Sequence, residues 1–117
     1  MKTVLFEVAS LEKVMERTKA ALRAGKPDKY AHVSFDSAAH MARIMTPLRW
    51  GIVEAMTGAG PLGVRELARR LGRDVSAVHA DCAALVTSGV IDRTPEGKYL
   101  FPFDHVKVQF DLHARAA

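Results

Sequence analysis

Val4, Phe6 and Val8 alternate with Leu5 and Glu7, a period of two that predicts a strand or an extended arm. The period then changes. Ser10 stands where an N-cap belongs, Glu12 falls in the first turn, and Leu11, Val14, Met15, Thr18 and Leu22 recur at helical spacing. An amphipathic helix over Leu11 to Ala24 follows, stopped by Gly25-Lys26-Pro27, with Lys13, Arg17, Lys19 and Arg23 making its other face basic. Ala31 to Phe35 predicts a brief extended stretch, and Asp36 or Ser37 can cap a short helix carrying Met41, Ile44 and Met45. Thr46-Pro47 pairs a threonine N-cap with proline at the first helical position. Leu48, Ile52, Val53 and Met56 then share one face.

Gly58 to Gly63 reads as a loop. Beyond it, Val64, Leu67, Ala68 and Leu71 form a further helical stripe closed by Gly72. Asp74 caps the next helix, in which Val75, Val78, Cys82, Leu85 and Val86 are expected to face inward, and Gly89 ends it. Val90 to Arg93 and Lys98 to Phe101 flank Thr94-Pro95-Glu96-Gly97, whose proline and glycine favour a turn, so a hairpin is expected. Val106, Val108 and Phe110 alternate with Lys107, Gln109 and Asp111 as a final amphipathic strand.

Two helices joined by a tight turn, the second running into a hairpin, is the plan of a winged helix-turn-helix. Ala68 is small enough to let the helices cross closely, Gly72 suits a turn position with positive φ, and Val78 plugs the angle between them. The expected fold class is therefore α+β, mainly helical: a winged helix-turn-helix with an N-terminal strand and amphipathic helix. Residues 1–30 form an extension for dimerisation or partner binding, and residues 31–117 form the winged domain.

The chain has 117 residues, room for one ordinary domain and too little for a doubly wound dinucleotide fold or a closed α/β barrel. Apolar residues at 49% and charged residues at 26% suit a globular protein rather than a disordered tail. Seventeen Lys and Arg against thirteen Asp and Glu leave +4, which permits nucleic-acid binding without requiring it. No uncharged apolar run approaches the roughly 18 residues of a spanning helix. Glu7 comes too early for a secretory signal. Cys82 is alone, which excludes an internal disulfide and a cysteine-based zinc cluster. A cytoplasmic protein without a membrane partner is expected.

From about Phe35 onward the sequence resembles small bacterial and archaeal winged-helix regulators of the antitoxin type, often encoded beside a toxin gene. The stretches that carry the resemblance are Leu48-Arg49-Trp50, Val64 to Arg70, Gly72 to Asp81 and Phe101 to Phe110. The resemblance implies DNA binding at an operator as a homodimer, and it leaves a cognate toxin as a candidate partner. It implies nothing firm about the first thirty residues. In a helix-turn-helix the start of the second helix enters the major groove. Ser76 and His79 are then placed for base edges and Ala80 for a thymine methyl, while Arg65, Arg69, Arg73, Arg93 and Lys98 are the expected phosphate contacts. The outward face of that helix nevertheless has no Lys or Arg, the side chains that most often read guanine.

The letters of Gly58 to Gly63 also satisfy a dinucleotide-binding pattern, but that pattern needs a preceding strand and a βαβ unit around it, and a helix is expected before it here. Cys82 falls between Val78 and Leu85 on an apolar face and reads as core rather than as a nucleophile. The side chains of His79-Ala80-Asp81-Cys82 diverge around their helix, and His32, His40, His105 and His113 are scattered without ligand spacing. No catalytic residue, metal or cofactor is expected, and the protein is read as a regulator rather than an enzyme. The alternative is a winged-helix interaction module that neutralises a toxin or another protein with little specific DNA binding of its own.

Overall fold

Residues 1–26 and 28–114 are described by a computed structural model. They form, in chain order, β1 (Thr3–Val8), α1 (Leu11–Ala24), β2 (Ala31–Phe35), α2 (Ala38–Ile44), α3 (Pro47–Met56), α4 (Val64–Leu71), α5 (Val75–Thr87), β3 (Asp92–Arg93), β4 (Tyr99–Leu100) and β5 (His105–Gln109). The helix starts follow from local chemistry. Ser10 Oγ accepts from the Lys13 N–H at 3.1 Å, Ser37 Oγ from that of His40 at 3.0 Å, Thr46 Oγ1 from that of Arg49 at 3.3 Å and Asp74 Oδ2 from that of Ala77 at 3.1 Å. Each bond satisfies a backbone donor that the first helical turn leaves without a partner. Gly25 and Gly72 end α1 and α4 in the left-handed conformation, at φ 66° and 63°. Of the stop expected after α1, Pro27 lies outside the described residues.

Three strands make a parallel sheet in the order β2-β1-β5, and two make an antiparallel pair, β3-β4. The chain is thus an α+β protein with five helices among its described residues. β1 is the middle strand of the parallel sheet, with Phe6 aligned on Val33 at one side and on Val108 at the other. The N-terminal strand is therefore hydrogen-bonded on both edges, and Val4 and Phe6 are wholly buried. Parallel pairing of β1 with β2 requires a crossover, and α1 supplies it. The short antiparallel pair gains a third member through a bridge. Leu62 and Tyr99 exchange N–H···O bonds of 2.9 and 2.8 Å, so the loop before α4 is tied to the hairpin after α5.

One face of the parallel sheet closes the core. Val4, Phe6, Val33 and Phe35 meet Met41, Met45, Ile52, Val53 and Met56 from α2 and α3, and Leu67, Ala68, Val78, Cys82 and Leu85 continue the core through α4 and α5. The Phe6 ring packs against Trp50, Phe35 and Phe101 at centroid separations of 5.4, 6.2 and 6.3 Å. Trp50 is accordingly a packing residue.

Two expected core positions are corrected. Leu48 and Val75 are exposed, because each stands in the first turn of its helix, at the margin of the packed layer. The apolar stripe of α1 is uncovered too, and the helix buries no residue at all. Polar groups hold it instead. Arg17 donates to Glu7 Oε1 at 2.6 Å and lies 3.3 Å from Asp28 Oδ2, while Ser34 donates to Glu7 at 3.1 Å. The two His32 ring nitrogens lie within 3.1 Å of Glu7 and 2.9 Å of Asp28, at ion-pair distance but without an aligned hydrogen bond. Burial pushes the Glu7 carboxyl up, yet the hydrogen bonds from Arg17 and Ser34 with the nearby positive charge bring it below the usual range.

Candidate nucleic-acid interface

The two helices of the expected motif meet because each carries a narrow buried stripe. α4 buries Leu67 and Ala68, and α5 buries Val78, Cys82 and Leu85, which recur at i, i+4 and i+7. Between them the Gly72 N–H bonds back into the last turn of α4, the Arg73 N–H donates to the Ala68 carbonyl at 3.0 Å, and Asp74 caps α5. Burial pushes the Cys82 thiol up to about 11, which suits a packing residue and not a nucleophile. On the opposite side of α5, Ser76, His79, Ala80, Ala83 and Thr87 are all exposed. α5 continues into the hairpin, where Thr94 accepts from Gly97 and donates to Lys98, closing the turn with Gly97 at φ 82°.

The eight residues expected at the interface have different surroundings. Ser76, His79 and Ala80 lie together on the exposed start of α5, and Arg65 is exposed in the first turn of α4. Arg69 is exposed but engaged: its Nη2 and Nε donate to the two oxygens of Glu66 at 2.6 and 3.0 Å. Arg70 donates to the same carboxylate at 2.9 Å. These hydrogen bonds hold the Glu66 carboxyl down at about 2, so Glu66 is a fixed negative charge opposite two of the arginines. Arg93 places its guanidinium 5.6 Å from the Tyr99 ring centroid, and Lys98 is exposed at the end of the hairpin turn.

Arg73 is the exception. Its side chain is only 17% exposed, and its Nη2 donates to Asp81 Oδ2 at 2.8 Å. Asp81 also accepts from Arg49 Nε at 3.1 Å on its other oxygen, so one carboxylate of α5 joins α3 to the turn after α4. Burial pushes the Asp81 carboxyl up, but the hydrogen bonds from Arg73 and Arg49 outweigh it and leave the group below the usual carboxylate range. Sequence reasoning missed Arg49. It lies 32 positions from Asp81, on a different helix, and no local spacing encodes such a pair.

From Val64 to Thr87 the surface therefore carries four arginines against Glu66, Asp74 and Asp81. An open groove of about 440 Å³ lies between α3 and β5, lined by Trp50, Val53, Glu54, Thr57, Asp104, His105 and Val106, and contains none of the eight residues. Among the described residues no three His, Cys, Asp or Glu side chains gather as metal ligands, and no helix is long and apolar enough to cross a membrane.

With this geometry in place, comparison with known proteins assigns the chain to a family. Residues 44–108 match the model of the HVO_A0114 family, a span of more than half the chain, and the chain belongs to that family. The matched span runs from the end of α2 to β5 and includes all eight candidate residues. No curated protein matches the sequence.

Proposed function

We propose that this protein is a winged helix-turn-helix regulator that binds double-stranded DNA as a homodimer and represses transcription at the operator it occupies. The observation that carries the proposal is the succession of α3, the Leu62 bridge, α4, the Gly72 turn, α5 and the β3-β4 hairpin, with the outward face of α5 uncovered. In that arrangement α5 enters the major groove. Ser76 and His79 meet base edges, Ala80 meets a thymine methyl, and Arg65, Arg69, Arg93 and Lys98 meet phosphates. Arg73 reaches a phosphate only by giving up Asp81, so its first role is to hold the turn against α5. The narrowest form of the proposal is an antitoxin that represses its own gene and that of a partner toxin.

One observation favours a second reading, in which the same surface binds a protein. α5 presents no Lys or Arg, and Glu66 already compensates Arg69 and Arg70. Titration against the DNA upstream of its own gene and against a scrambled duplex, at two salt concentrations, separates the readings. A specific regulator binds the first duplex far more tightly, with a salt slope of roughly 0.9 per phosphate neutralised. Equal binding to both duplexes refutes sequence specificity, and binding to neither supports the interaction module.

A further inference from the structure

α1 has an apolar seam that no other described residue of the chain covers. Leu11 is 71% exposed, Met15 51% and Leu22 77%, and Thr18 is exposed between them. The four are spaced by four, three and four residues, which is the d-a-d-a order of a heptad. The Thr18 hydroxyl donates to the Val14 carbonyl at 2.9 Å, so the side chain can face an apolar partner with its polar atom satisfied. Val14, Arg17 and Ala21 are half-buried on the neighbouring side of the helix, which leaves the seam itself free.

We infer that the seam pairs with the α1 of a second copy of this chain, the two helices running antiparallel. The chemistry along the stripe is self-complementary about its centre. Antiparallel pairing sets Leu11 against the partner's Leu22 and Met15 against the partner's Thr18, so every d position meets an a position. The surface already has the matching concavities. Thr18, Ala21, Leu22 and Gly25 stand at i, i+3, i+4 and i+7 and, with Lys26, line a hollow of about 340 Å³ at the level of the partner's Leu11. Gly25 faces open space at the end of that hollow, since a Cβ built there meets nothing within 4 Å. A second hollow of about 380 Å³, lined by Leu11, Glu12, Met15, Glu16 and Lys19, lies at the other end of the seam.

The flanking charges fix the direction. Glu12 and Lys19 occupy the two e positions beside the seam, and in antiparallel pairing e faces e, so Glu12 meets the partner's Lys19 and the pair occurs twice by symmetry. A parallel pair sets Lys19 against Val14 at g and leaves Glu12 with no g partner inside the helix, so it forms no such bridge. A helix of 14 residues is about 21 Å long, two heptads, which is smaller than a standard interface of roughly 1,600 Å². The association is therefore weak and concentration-dependent. This inference rests on the homodimer of the functional proposal and names its interface.

Sedimentation of the full chain without DNA, over a wide range of concentration, tests it. The expected result is a reversible dimer whose Kd rises at least about tenfold in Leu22→Glu. Glu12→Lys is expected to weaken it, and Glu12→Lys combined with Lys19→Glu to restore it. All three side chains are exposed, so the variants keep the parental circular dichroism spectrum and a cooperative unfolding transition. A dimer indifferent to Leu22→Glu, or a double variant no better than Glu12→Lys, overturns this interface and leaves the homodimer standing. A monomer at every concentration overturns both, and the DNA titration is decided independently of either outcome.

Discussion

Replacing Asp81 by alanine tests whether the carboxylate shared by Arg49 and Arg73 holds the helices together. Asp81 is 19% exposed, Arg49 22% and Arg73 17%, so the group lies between the surface and the interior. A fully exposed pair is worth about 0–1 kcal/mol, whereas removing one partner of a buried pair costs about 3–5 kcal/mol. Two charge-assisted hydrogen bonds, of 2.8 and 3.1 Å, are lost together. At the low end of about 1.5 kcal/mol each they sum to roughly 3 kcal/mol. Two guanidinium groups are then left near each other without the anion between them. For a domain of this size that loss lowers Tm by about 12 °C, at about 4 °C per kcal/mol.

The assay is urea unfolding followed by circular dichroism, because guanidinium is itself a salt and screens the interaction. The pH dependence has a definite sign. The folded Asp81 carboxyl lies below its unfolded value of about 3.9, so its contribution is fully present above that pH and is lost as pH falls through the folded value. The gap between parent and Asp81→Ala therefore narrows in acid. A loss below about 1 kcal/mol at neutral pH, or a gap that does not narrow in acid, refutes the clamp.

Three further outcomes are expected. Val78→Asp places a charge at a position with no exposure, and it abolishes the cooperative unfolding transition; a variant with the parental midpoint would exclude Val78 from the core. Glu66→Gln removes the compensating charge from Arg69 and Arg70, so its DNA titration gains up to about 0.9 in salt slope for each arginine that then meets a phosphate, and an unchanged slope removes both from the interface. Cys82, pushed up to about 11 and buried, resists alkylation at pH 8 until denaturant is added; stoichiometric labelling of the native protein contradicts the packing role.

Short-range chemistry was legible in the residues themselves. The bounds Leu11–Ala24 follow from Ser10, Glu12 and Gly25, all within a turn of the helix ends. The same is true of Ser37 before α2, of Thr46-Pro47 before α3, and of Gly72 and Asp74 around the α4-α5 turn, because a cap is made by atoms two or three residues apart. The helical period of Val78, Cys82 and Leu85 and the turn at Thr94 to Gly97 were legible too, because each is set by residues a few positions apart.

Contacts between distant segments were not. Strand alternation announces a strand but not its partners, and only the assembled fold puts β1 between β2 and the C-terminal β5. Helical periodicity marks an apolar face, yet whether anything covers it depends on the neighbours. The stripe of α5 became core while that of α1 stayed exposed. Likewise Arg73 read as a phosphate contact from its place beside the turn, and the tertiary structure turned it toward Asp81, where Arg49 arrives from another helix. Caps and turns are decided by atoms a few residues apart, and those the sequence determined. Burial and ion pairing depend on which surfaces meet, and only folding brings those surfaces together.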